Sequence, residues 1–427
     1  MDRAMGGGEP ASREDVVPMT QRTLVSIAIL AWLTAATPVA AGQDWSQWRG
    51  PNRDGAVTSF NEPASWPTEL TEHWKVEVGL GYATPLLIGD RIYMYTRQGS
   101  DEVMLALDAD SGDVIWRSAY PAVFRMNPAA TSRHGAGPKS TPVFADGRLF
   151  TMGMSGIVTA FDAETGGQLW QQPAPPVQPL YHTATSPLVD GDLVIVHVGG
   201  HDDGALTAFD VATGNVRWSW DGDGPAYGSP VVFELEGARQ VVTFTQKNLV
   251  GVSVDTGELL WRRPYTTPST TTSQTPILYG DTLIEAGRSN GITAFRVIRF
   301  GDEWTTEDVW HTEEVSLHMT NGVAIDSLLV GLSHLNRGQY FGLDLDTGQL
   351  LWTSDPRQAD NAAIVRAGDT IFSLEDDAEL VIVRNSRTGF EPLQRYEVAD
   401  SATWAQPAIS GNRLFVKDVS SLTLWTF

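Results

Sequence analysis

The 427-residue chain contains no cysteine. That excludes disulfides, thiolate metal sites, c-type haem attachment and a lipid anchor on a cysteine. Cationic charge is scarce. Twenty-nine Lys and Arg stand against 52 Asp and Glu, a formal net charge of −23, so nucleic acid and anionic membrane surfaces are poor partners. Charged residues reach only 19%, whereas 42% of the chain is apolar, a balance that argues against disorder. Long apolar runs are also lacking. The stretch at 24–36 (LVSIAILAWLTAA) is shorter than the roughly 20 residues that cross a bilayer. G-x-S-x-G, H-E-x-x-H and P-loop patterns are absent as well, which removes the hydrolase, zincin and nucleotide-binding readings they would carry.

The apolar stretch follows Arg22 and runs into Pro38-Val39-Ala40-Ala41-Gly42. A basic flank, a short apolar core and small residues at a cleavage point describe a secretory signal peptide, with cleavage expected after Ala41; the alternative is an uncleaved anchor. Residues 1–18 carry Asp2, Glu9, Glu14 and Asp15 against Arg3 and Arg13. Such an acidic n-region opposes the usual charge rule, so Met19 is the expected true start. The resulting plan is a signal peptide over 1–41, an arm over 42–70 and a repeat domain over 71–427, in a periplasmic or extracellular protein.

What the chain has in abundance is a repeat. The element D-x-x-T/S-G-x-x-x-W appears at 108–116, 162–170, 210–218 and 344–352, and at 253–261 with Ser in the Asp position. Each copy opens on a dipeptide: Thr84-Pro85, Thr141-Pro142, Ser186-Pro187, Ser229-Pro230, Thr275-Pro276 and Gln406-Pro407, with worn versions at Thr320-Asn321 and Ala362-Ala363. Successive openings lie 42 to 57 residues apart. A period in the mid-forties with four short strands per unit predicts a propeller blade. In the second copy the strands are expected at 141–144, 148–152, 157–162 and 168–171, with Gly and Asp at the turns.

Seven copies are complete, and the eighth stops after three strands. The missing outer strand is expected from residues 72–78, giving an all-β, eight-bladed propeller of four-stranded antiparallel blades closed by an amino-terminal strand. Trp74, Trp116, Trp170, Trp218, Trp261, Trp310 and Trp352 recur at blade period and are expected to dock one blade on the next, each with an N–H to satisfy. Leu393 takes that slot in the seventh copy.

The signature A-x-D-x-x-T-G-x-x-x-W resembles that of pyrroloquinoline-quinone (PQQ)-like repeat β-propellers. That superfamily includes the quinoprotein alcohol dehydrogenases and the propeller lipoprotein of the outer-membrane β-barrel assembly machinery. The segment Trp48-Arg-Gly-Pro-Asn-Arg-Asp-Gly55 resembles the leader of exported members. The resemblance implies fold more than activity. The dehydrogenases commonly carry paired cysteines at the quinone, a Ca²⁺ ion and a carboxylate base, and the lipoprotein needs a terminal Cys. This chain has no Cys, and no tight Asp/Glu/Asn cluster in it asks for Ca²⁺.

Residues just ahead of each inner strand should ring the mouth of the axial channel: Tyr82, Lys139, His182, Tyr227, Gln274, His318, Asn361 and Trp404. They suit a planar or polar ligand, or else fill the channel with hydrogen-bonded side chains. The long crossover at 118–139 adds Arg125, Asn127, Arg133 and His134, a candidate anion site or simply a solvated loop. Arg133 and His134 join the funnel set as candidate ligand-binding residues. His197 and His201 share a face only on a helix, not along a hairpin, so no metal is expected there. The acidic run Glu375-Asp376-Asp377 with Glu379 lacks the invariant Gly of a Ca²⁺ loop and reads as a solvated hairpin.

The expected function is an exported, non-catalytic binding or scaffold propeller. It would be a monomer with no resident cofactor, meeting a protein or glycan partner on its loop face. One alternative is a dehydrogenase oxidising an alcohol or sugar with PQQ and Ca²⁺ in the funnel. A second is a polysaccharide-binding propeller using Tyr82, Tyr227 and Trp404.

Overall fold

The alternating pattern of each repeat folds into a four-stranded antiparallel sheet. In the computed structural model, which describes residues 43–127, 135–268 and 271–427, the second copy runs Val143–Ala145, Arg148–Met152, Val158–Asp162 and Gln168–Gln172. These strands fall within two residues of the expected ones. The signal peptide, Met19, Arg133 and His134 lie outside the described residues.

Seven sheets follow one another along the chain, at 86–121, 143–172, 188–220, 231–264, 277–312, 323–353 and 362–397. The eighth combines Ala408–Ser410, Arg413–Lys417 and Ser421–Thr426 with Thr71–Glu77, which pairs antiparallel to Ser421–Thr426. The ring therefore closes with the amino-terminal strand as the outer strand of the last blade. Blade 7 gains a fifth strand, Ala56–Val57, which pairs in parallel with Ala362–Ala367.

The apolar cores lie between blades. One cluster joins Tyr93 and Met104 of blade 1 to Leu149 and Phe161 of blade 2, and another joins Phe150 of blade 2 to Val194 of blade 3. The recurrent Trp sits at these interfaces. Its indole N–H donates to a backbone carbonyl in the next blade's repeat turn: Trp74 to Ala109, Trp116 to Ala163, Trp170 to Val211, Trp218 to Val254, Trp310 to Leu345 and Trp352 to Ser386, at 2.7–3.2 Å. The repeat glycine lies against the ring of the preceding blade's Trp. At Gly166 (φ +73°) a Cβ would come within 2.5 Å of Trp116, and at Gly257 (φ +74°) within 2.8 Å of Trp218. Only glycine combines that backbone with that approach.

Trp261 is the exception, and its neighbour explains it. Blade 5 replaces the repeat turn with a long hairpin, Ile292–Phe300 and Glu303–Thr312. Trp261 instead donates to Gln240 Oε1 of its own blade at 2.6 Å.

The repeat Asp organises the turn itself. Asp162 Oδ1 accepts from the Thr165 hydroxyl at 2.7 Å and its N–H at 2.8 Å, which holds the carboxyl below its ordinary range.

The acidic run near 375 departs from expectation. Glu375 and Asp376 are buried, not solvated, because the end of Thr370–Glu375 packs against blade 6, where the Tyr340 hydroxyl donates to Glu375 Oε1 at 2.7 Å. Burial pushes the Glu375 carboxyl up to about 7. A carboxyl raised on folding adds stability below its unfolded pKa and loses it as pH rises through the folded value. Glu375→Gln keeps an acceptor for Tyr340 but cannot ionise. Its stability relative to the unsubstituted protein should rise by about 1–3 kcal/mol between pH 4.5 and pH 8. Urea titrations across that range check it; a gap that stays constant with pH contradicts it.

Candidate functional site

The axis of the ring is occupied by the chain's own arm. Trp45 pairs with Leu87 of blade 1, its N–H donating to the Leu87 carbonyl at 2.7 Å. Ser46 O accepts from Phe144 N of blade 2 at 2.8 Å, and Gly55 O from Arg366 N of blade 7 at 2.8 Å. Arg53 Nη1 donates to Pro187 O of blade 3 at 2.9 Å, Trp48 Nε1 to Thr275 Oγ1 of blade 5 at 2.9 Å, and Arg49 Nη2 to Gly322 O of blade 6 at 2.8 Å. One short segment reaches the inner edge of six blades, which is possible only from the centre.

The W-R-G-P-N-R-D-G leader is built for that position. Two successive turns close through Gly50 N to Gln47 O and Arg53 N to Gly50 O, each 3.1 Å. Arg49 (φ 61°) and Arg53 (φ 58°) both hold left-handed backbone, which costs a non-glycine residue roughly 1–3 kcal/mol and persists where surroundings over-determine it. Both guanidiniums are buried and face backbone carbonyls. Arg49 also reaches Arg53 O and Asp54 O, and Arg53 reaches Ser186 O and Gln47 Oε1. Burial pushes Arg49 down to about 10 and Arg53 to about 9, so each remains protonated at neutral pH.

The plug turns the open channel into a cup of about 430 Å³. Trp48 of the arm lines it, together with Tyr82, Tyr227 and Trp404 as aromatic wall. Two amides face in. Asn321 Oδ1 accepts from Thr275 N at 2.7 Å. Thr320 Oγ1 accepts from Ala362 N and gives its proton to Asn361 Oδ1 at 2.8 Å. With both carbonyl oxygens tied back to the ring, the amide NH₂ groups are the halves presented to the cup. Lys139 and Arg288 are its cationic side chains, and Ser229, Thr271, Ser273 and His318 add further polar groups. Lys139 Nζ donates to Tyr181 O at 3.1 Å, and burial pushes its ammonium down to about 8.

Of the expected funnel residues, Tyr82, Lys139, Tyr227, His318, Asn361 and Trp404 meet in this cup. His182 and Gln274 stand behind its wall. His182 Nε2 meets Arg125 O at 2.9 Å and its ring lies 4.6 Å from that of Phe124. Gln274 Nε2 bridges His318 O and Thr320 O at 2.8 Å each. The two His of the 197–201 hairpin are committed to backbone, His197 Nε2 to Asp223 O and His201 Nδ1 to Pro225 O. Trp48, Arg288 and Asn321 were not expected in the site. Signals existed for two of them: Trp48 opens a leader with two Arg in eight residues of a strongly acidic chain, and Asn321 stands where other copies carry Pro, whereas no sequence signal marked Arg288.

A Ca²⁺-held quinone does not fit this donor set. Ca²⁺ takes 6–8 oxygen ligands with carboxylates prominent, and alcohol oxidation needs a base within reach of the substrate hydroxyl. Among the described residues the cup lining includes no Asp or Glu, and the internal stretches 128–134 and 269–270 contain none. Asp376 stands behind the wall, its Oδ1 accepting the Asn361 N–H at 3.0 Å.

A closed propeller with an aromatic, basic axial cup defines a class of protein rather than an activity. Residues 100–354 match the family model described as Outer membrane protein assembly factor BamB, and the chain belongs to that family. It is 25% identical over 379 residues to the Outer membrane protein assembly factor BamB of Burkholderia pseudomallei, covering 84% of this chain and 91% of that protein. It is 28% identical over 205 residues to the Polyvinylalcohol dehydrogenase of a Sphingopyxis species, a match spanning 43% of this chain but 30% of that protein. Among solved structures, BamB from Moraxella catarrhalis superposes with a TM-score of 0.63 at 18% identity, covering 84% of this chain and all of that one. The quinohemoprotein alcohol dehydrogenase from Comamonas testosteroni gives 0.65 at 13% identity, covering 90% and 80%. Both superpositions speak to fold alone.

Arg49→Met should strip the Gly322, Asp54 and Arg53 carbonyls of their buried donor, at about 2–4 kcal/mol in all. The arm should then become cleavable by protease within 43–57 while the blades stay resistant. An unchanged digestion pattern and midpoint contradict this placement.

Proposed function

We propose that this chain is an exported, non-catalytic binding propeller that receives a small ligand in its axial cup. The observation that carries the reading is the cup's composition: aromatic walls, amide and cationic donors, and no carboxylic acid among its described lining residues. Aromatic and polar groups converging in a concavity of this size are what small-molecule sites are made of. Oxidation of an alcohol by a Ca²⁺-held quinone would need carboxylates for the ion and as a base, and the described lining offers none. Export is supported by the signal-like segment at 24–36 followed by Ala40-Ala41.

A protein partner on the loop face belongs to the same reading. Its support is the set of exposed apolar side chains on the connections leading into blades 1 to 3, with Val123 81% exposed and Leu80, Met126, Val177 and Leu180 38–47% exposed. The assembly-factor names carried by its relatives point the same way.

Calorimetric titration with PQQ, with and without Ca²⁺, separates this reading from a quinone-dependent dehydrogenase. The expected result is no Ca²⁺-dependent increment in binding. Saturable one-to-one binding that requires Ca²⁺ would overturn the non-catalytic reading.

A further inference from the structure

We infer that the axial cup is an anion receptor whose ligand is a ring compound bearing a carboxylate, held without a divalent cation. This rests on the reading of the cup as a binding site and names what it takes. Three observations carry it.

The first is the reversal of charge. In a chain of net charge −23, the cup brings together Lys139 and Arg288 with no acidic side chain among the described lining residues. A small cavity walled by protein concentrates the field of such a pair more than open surface does. An anion enters against the chain's overall repulsion only where the local potential is positive, and Lys139 and Arg288 supply that potential here.

The second is that the two amides of the lining have their oxygens tied back to the ring. The Asn321 and Asn361 oxygens are both committed to donors of the ring, which leaves their NH₂ groups to the cup. Lys139 spends one of its three protons on Tyr181 O and keeps two. Donors without matching acceptors suit a carboxylate, which accepts several hydrogen bonds and offers none.

The third is the shape of the walls. Trp48, Tyr82, Tyr227 and Trp404 present rings to the cavity. Tyr227 has its hydroxyl occupied, accepting from Tyr181 N at 2.9 Å and facing His201 Nε2 at 3.2 Å. It therefore offers the cup a face rather than a hydrogen bond. Rings of this kind stack on a flat aromatic nucleus or on the apolar face of a sugar ring. An aromatic acid and a uronate share the required chemistry.

The test uses the full chain in EDTA, with quenching of tryptophan fluorescence and calorimetry as readouts. Four probes are titrated: 4-hydroxybenzoate and its neutral partner 4-hydroxybenzamide, galacturonate and its neutral partner galactose. One acid should saturate the cup at least about 10-fold more tightly than its neutral partner. The acid that does so distinguishes the aromatic source from the sugar. Lys139→Met should abolish the preference and Lys139→Arg should retain it, with thermal midpoints recorded for each. If Lys139→Met does not fold, Arg288→Gln, at an exposed position, should lower acid affinity about fivefold or more. Equal binding of acid and neutral partner, or a preference that survives both substitutions, overturns the acid inference and leaves the receptor reading standing. No response to any of the four probes overturns both.

Discussion

Every sheet of this ring has two apolar faces, and neither can be left to water. The structure depends on that constraint, and a ring of eight satisfies it only if the last blade meets the first. The meeting place is the strand Thr71–Glu77 on Ser421–Thr426. There the apolar clusters, which elsewhere join two blades, merge across blades 7, 8 and 1 and take in Trp45 and Val57 of the arm. Phe60 and Trp66 of the arm pack on Phe427 near the opposite end of the chain, with ring centroids 5.8 and 5.2 Å apart. Tyr396 adds a hydrogen bond to Pro67 O at 2.7 Å. Both ends of the propeller are thereby tied into one core, with no unpaired sheet face between them.

The same arm decides what the axis can do. A bare ring would have a hole. With Trp48 and two buried guanidiniums docked on the inner strands, the hole becomes a cup closed at one end. The cost is two left-handed arginines and two desolvated charges, offset by at least six hydrogen bonds to carbonyl oxygens. The two guanidiniums bring buried positive charge to the axis of a strongly acidic chain. Function and closure are thus coupled: the segment that locks the ring also furnishes the base of the site.

The fold was legible because its determinants are local. A period of about 45 residues, Asp and Gly at the repeat turn and Trp eight positions after the Asp identify a blade within a single window, and the observed strands follow that pattern closely. The outer positions of the cup were legible for the same reason, since Tyr82, Lys139, Tyr227, Asn361 and Trp404 each stand at one point of the repeat. The arm was not. Its contacts are with residues as distant as Gly322, 273 positions away from Arg49, and nothing periodic marks a segment that occurs once. The buried Glu375 was missed for a related reason: an acidic run looks solvated until the Tyr340 of a neighbouring blade is brought to it. His182 and Gln274 occupy the right repeat position but turn to brace the wall.

Hydrogen exchange over residues 43–57 tests the central claim, that the arm is a structural occupant of the axis and the base of the cup. Backbone amides such as Trp45 N, bonded to Leu87 O, and Arg53 N, bonded to Gly50 O, should exchange as slowly as those of the inner strand Val323–Ile325. Exchange of this segment at the rate of a free chain, with the blades protected, would contradict the account.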